Sequence, residues 1–165
     1  KEFVKFNERC FVRLLADMRS YNYVIVITQD FDRVQYRIRA VDFDQQSYEG
    51  NPKVYLPQFL KENNALVNMT LSVLTDESIE QYKKEERSLL AKRANSEQER
   101  LEDLLNCMRN DTISQPSKIK QLKIGLYDMT KDVNFKKSKN MGELLSNALD
   151  FIKRNYVNEN PYIIK

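Results

Sequence analysis

Residues 22–43 read Asn-Tyr-Val-Ile-Val-Ile-Thr-Gln-Asp-Phe-Asp-Arg-Val-Gln-Tyr-Arg-Ile-Arg-Ala-Val-Asp-Phe, and this stretch decides the fold. Residues 23–28 are β-branched and aromatic, with no polar alternation, and so read as a buried strand. Gln29-Asp30-Phe31-Asp32-Arg33 reads as a turn. Residues 34–43 then alternate, with Val34, Tyr36, Ile38 and Ala40 on one side and Gln35, Arg37 and Arg39 on the other. Two such runs joined by a short connection predict a β-hairpin over 22–43. Val41 to Phe43 break the alternation and are expected to go under cover, with Phe43 in the core. Two strands alone do not make a stable sheet, so the hairpin must lean on helices or on something outside this chain.

The flanking sequence supplies helices. Phe3, Phe6, Cys10, Phe11, Leu14, Leu15 and Met18 recur at helical spacing and predict an amphipathic helix over 2–19. Gly50, Pro52 and Pro57 mark 44–57 as irregular, and Pro57 suits a first helical turn. Thr75 reads as an N-cap, with Asp76 and Glu77 in the first turn of a highly charged helix. Its charges read as a solvated face with ion pairs at i,i+4. Ser96-x-x-Glu99 matches a capping box at which that helix continues or restarts. Pro116 opens another helix, a last one runs from about 140 to 155, and the tail from Tyr156, with Pro161, is not expected to be helical. The fold class is therefore α+β, mainly α-helical: one β-hairpin near the N-terminus, then a multi-helix bundle over 57–155, in a single domain spanning 1–165.

Composition limits the chemistry. The chain has 165 residues, 41% of them hydrophobic and 31% charged, which suits one globular domain with its own core. Its 27 basic and 24 acidic residues are interspersed and leave a net charge of +3, so neither nucleic acid nor an anionic membrane is an expected partner. With no histidine, Ser-His-Asp and Cys-His nucleophile systems are excluded, as are His-ligated metals. Only three glycines occur, and no Gly-rich phosphate loop is among them. Cys10 and Cys107 read as free, buried thiols of a reducing, cytoplasmic compartment. The sequence starts at Lys1, which fits the C-terminal part of a longer protein.

What remains is a set of oxygen ligands around the hairpin. Asp42-Phe43-Asp44 follows the second strand directly. Carboxylates held at a strand exit beside a polar loop suit Mg²⁺ or Mn²⁺ in phosphate chemistry. Before the first strand, Asp17-Met-Arg-Ser-Tyr-Asn22 spaces an Asp and an Asn five apart. The same residues also read as a solvated helix end, a turn, and a strand terminus with two exposed carboxylates.

The order helix, D-x-x-x-x-N, hairpin, D-F-D, helices resembles the C-terminal lobe of protein kinases and their small-molecule kinase relatives. Residues of about 2–50 carry the resemblance. It implies an ATP- and Mg²⁺-dependent phosphotransferase in which Asp17 is catalytic, orienting the acceptor hydroxyl and accepting its proton. Asn22 and Asp42 would bind cofactor and metal, with Asp44 on a second metal or a water of its shell. Leu15-Ala16 stand where the family has His-Arg, and the hairpin is longer than the family's. The nucleotide-binding lobe would come from a missing N-terminal lobe or partner domain. The alternatives are a non-catalytic helical interaction module and a pseudokinase-like domain.

Overall fold

The computed structural model describes residues 1–110 and 113–156. The first element, α1 (Glu2–Val12), runs into a loop and then into an antiparallel hairpin, β1 (Tyr23–Asp30) and β2 (Arg33–Ala40). Three short 3-10 turns follow, at Pro52–Tyr55, Pro57–Phe59 and Lys61–Asn63. The rest is helical: α2 (Asn64–Val73), α3 (Asp76–Ser96), α4 (Gln98–Arg109), α5 (Pro116–Thr130), α6 (Asn134–Lys137) and α7 (Met141–Tyr156). The chain is α+β and mainly helical, as its patterning predicts. No helix among the described residues is long and apolar enough to cross a membrane. The expectation for the tail beyond Tyr156 falls outside the described residues.

Helix α1 is the pivot, because its two sides belong to different apolar clusters. Phe3, Phe6 and Cys10 pack with Leu15, Met18 and the hairpin base, Tyr23 and Ile38. The Phe6 and Tyr23 rings meet edge to face, 5.1 Å between centroids. Phe11, Val12 and Leu14 instead join the helical core, where Leu122, Leu126, Leu144 and Ile152 are fully buried. A helix so enclosed buries its polar side as well. Asn7, Glu8 and Arg9 are all buried, and each has partners, as the cost of desolvating a lone polar group requires. Arg9 donates to Glu86 of α3 (3.1 Å), to the Ile38 carbonyl (3.1 Å) and to Glu2. Arg87 of α3 donates to Glu8 at 2.5 Å. The charged helix is thus not simply a solvated face: Glu86 and Arg87 bind it to α1.

Several element ends differ from the sequence expectation, each for a local reason. The first helix stops at Val12 rather than near residue 19. The Leu14 carbonyl accepts from the Ser47 N–H (2.7 Å), and Leu15 forms an antiparallel bridge with Gln46. Backbone recruited by a distant segment cannot continue a helix, and Leu14 takes a positive φ of 48°. After Pro57 the chain makes 3-10 turns before α2, because Leu56 and Leu60 are extended and side chains take the backbone bonds. Asn7 Oδ1 accepts from Gln58 N–H (2.8 Å), and Asn63 Nδ2 donates to the Pro57 carbonyl (2.8 Å). Thr75 caps α3 as expected, through Ser78 N–H at 3.3 Å. Ser96 does not form its capping box. Its hydroxyl donates to the Arg93 carbonyl, and the helix breaks at Glu97. Gly142 opens α7 hard against α4: a Cβ there would lie 2.6 Å from Arg109 N.

The hairpin projects from the body. In its register Ile25 faces Ile38, Ile27 faces Tyr36 and Thr28 faces Gln35. One face is therefore apolar (Ile25, Ile27, Val34, Tyr36), while the other carries Arg33, Arg37 and Arg39 beside Val24 and Val26. Only its base is covered. Tyr23 and Ile38 are buried, whereas Ile27 is 63% exposed and Phe31, at the two-residue turn, 94%. The expected burial of the first strand holds only at Tyr23, since no third layer among the described residues covers the ribbon. Val41 and Phe43 are exposed too, contrary to expectation.

Candidate functional site

The site residues lie at the neck of the hairpin. The Asn22 carbonyl accepts from the Val41 N–H at 3.0 Å, extending the strand pairing one step below Tyr23–Ala40. Asp42 follows at once. The segment after it turns back, and Gln46 and Ser47 pair with Leu15 and Leu14. Gln46 Nε2 also donates to the Arg13 carbonyl (3.3 Å). The loop before the hairpin and the loop after it are thereby held side by side.

Asp17 has a positive φ of 58°, a conformation that Asp tolerates better than most residues. This bends the chain so that Asn22 reaches back onto it. Asn22 Nδ2 donates to the Asp17 carbonyl at 2.8 Å and to Asp17 Oδ2 at 3.2 Å. Both bonds use the amide nitrogen, so Asn22 Oδ1 has no donor among the described residues. Arg19 Nε donates to the other Asp17 oxygen (2.7 Å) and is steadied by Glu62 (3.2 Å). Beneath the loop, buried Asn63 donates to the Met18 carbonyl (2.9 Å) and accepts from Tyr23 O–H (2.8 Å). That one amide ties the Asp17 loop, the hairpin base and the 3-10 segment together.

Asp42 is half-buried and folds on itself: Oδ1 accepts from the Asp44 N–H (3.2 Å). Asp44 is exposed. Asp17 borders a cleft of about 350 Å³, lined also by Arg19, Gln45, Glu49 and Leu60. Asn22, Asp42 and Asp44 do not line it. The chain thus joins Asp17 to Asn22 directly, and Asn22 to the Asp42 segment through backbone. Among the described residues no three His, Cys, Asp or Glu side chains gather as a metal-holding group. The donors at the neck are nevertheless the hard oxygens that Mg²⁺ or Mn²⁺ takes, with phosphate and water completing the shell. One polar atom here is orphaned. Ser47 Oγ is buried without a hydrogen-bond partner among the described residues, and Ser47 too has a positive φ, 53°.

Arg19, Ser47, Glu62 and Asn63 carry no motif in the sequence and are revealed only by long-range hydrogen bonding, and Gln45 only by its place on the cleft wall. Cys10 is packed, as expected, and burial pushes its thiol up to about 12. Cys107 is exposed, contrary to expectation. In comparisons with protein-family models, curated proteins and solved structures, none matches this chain.

Proposed function

We propose that this chain is the helical lobe of a kinase-like, metal-dependent phosphotransferase. The observation that carries the reading is the double hydrogen bond from Asn22 to Asp17, made at a neck that also holds Asp42. Asp17 orients the acceptor hydroxyl in the cleft beside it and accepts its proton. Asn22 Oδ1 and the free oxygen of Asp42 would hold Mg²⁺ or Mn²⁺ together with ATP, and Asp44 would serve a second metal or its water shell. The metal, when bound, neutralises charge on the phosphates. A missing N-terminal lobe or partner domain supplies the other half of the nucleotide site. The two free cysteines suit a reducing, cytoplasmic setting.

The test is thermal unfolding of the full-length protein with and without Mg-ATP. Ligand at about 100 times its Kd adds about 2.7 kcal/mol of stability. The wild type is expected to gain this and Asp42→Ala to gain none, with the two melting alike in the absence of ligand. Equal shifts in both, or none in the wild type, would overturn the proposal. The exposed apolar hairpin face favours a second reading, a non-catalytic interaction module of pseudokinase-like form. It requires that Mg-ATP leave the wild type unchanged and that a partner cover Ile25, Ile27 and Tyr36.

A further inference from the structure

Away from the Asp17 cleft, between α1, β2 and α3, lies a larger one of about 470 Å³. Five arginines line it (Arg9, Arg13, Arg37, Arg39 and Arg93), and no carboxylate among the described residues does. Arg9 is neutralised by Glu86 and Glu2. The other four have no ion-pair partner among the described residues. The arginines elsewhere are mostly paired: Arg19 with Asp17, Arg87 with Glu8, Arg100 with Glu97, Arg109 with Glu102 and Arg154 with Asp132, with Arg33 left over among the described residues. Four guanidinium groups without a direct ion pair thus gather around one concavity in a molecule of net charge +3.

Their placement is fixed from three directions. Arg37 and Arg39 are two apart on β2 and share a face by strand periodicity. Arg13 follows α1, is half-buried, and is anchored through Nε to the Arg9 carbonyl at 3.0 Å. Both its terminal nitrogens have no acceptor among the described residues. Burial, helped by the Arg9 charge and opposed by Glu86, pulls its guanidinium below the ordinary value, the direction that a bound anion would reverse. Arg93 comes from α3. Fork-shaped guanidinium groups bind phosphate oxygens in pairs, and several around one concavity select for multiple charge. The remaining walls are Phe6, Ile38, Ala40 and exposed Phe43. The volume is that of a small-molecule site, not of a track along a polymer.

We propose that this cleft binds a small anion bearing two or more phosphate groups, without metal, at a site separate from Asp17, Asn22 and Asp42. The test is titration calorimetry of the full-length protein with inorganic triphosphate in EDTA. One-to-one binding that weakens with salt is expected. Arg37→Gln/Arg39→Gln should bind at least about tenfold more weakly, since a charge-assisted hydrogen bond is worth that much. Both changes are at exposed strand positions that leave the core intact, and Arg13→Gln should give the same loss from the opposite wall. Asp42→Ala should keep triphosphate binding, which separates failure of this proposal from failure of the phosphotransferase reading. Absence of binding, or binding indifferent to both sets of arginine changes, would overturn it. So would tighter binding of a single-stranded oligonucleotide with several chains per strand, which would make the arginines a polymer-binding surface.

Discussion

Burial divides the two thiols of this chain into different chemical species. Cys10 lies among Phe3, Phe6 and Leu15, and burial pushes its thiol up to about 12 even though the Arg13 and Arg9 charges pull the other way. The reactive form is therefore absent at neutral pH. Cys107 is on the open side of α4. Titration with a thiol reagent near pH 8 should count one reactive cysteine in the native protein and two in denaturant. Two in the native state would mean that α1 opens. At the same scale, Asp17 and Asn22 were legible as a spaced pair because a five-residue interval is a local fact. Arg19 on Asp17 and Asn63 under Met18 were not, since Glu62 and Asn63 approach from more than 40 positions away. No local pattern encodes that approach.

The hairpin shows what alternation reveals and what it leaves open. Register and facing follow from the period of two, and Ile27 and Ile38 do lie on one face as the pattern requires. Depth does not follow. The run at 23–28 looks like an interior strand, yet among the described residues the sheet has two strands and most of that run is exposed. Position along the ribbon therefore sets the energetics. Ile38→Ala removes a side chain that is 5% exposed and packs on α1, at an expected cost of about 2–4 kcal/mol. Ile27→Ala should cost less than about 1 kcal/mol, chiefly its cross-strand pair with Tyr36. Urea unfolding of the two variants checks this, and equal costs would mean that something covers the outer half of the hairpin. The Ile38 backbone adds a device invisible in sequence. Its outward N–H donates to Glu2 (3.0 Å) and its carbonyl accepts from Arg9, so two helix side chains satisfy a strand edge.

At the scale of the whole molecule, the order of the longer helices was readable from apolar spacing and from Thr75 and Pro116, whereas the break at Glu97 and the short α6 were not. The places where helices touch were not. The joint between α4 and α7 depends on Gly142, whose missing side chain lets the α7 start lie against the Arg109 and Met108 backbone. Gly142→Ala should destabilise the protein by about 1–3 kcal/mol, because backbone cannot step aside as a flexible side chain does. A denaturation midpoint unchanged by that substitution would show that the joint is looser than described. The neck beneath the hairpin has a different kind of consequence. Asn22–Val41 and Leu15–Gln46 fasten the chain before the strands leave the body and after they return. The ribbon beyond Tyr23 and Ile38 is a detachable cassette. Insertions and deletions can lengthen or shorten the ribbon between relatives without disturbing Asp17 or Asn22, provided they come two residues per strand. An odd step would turn the arginines onto the isoleucine side, so heredity is free to vary the length of this arm but not its parity.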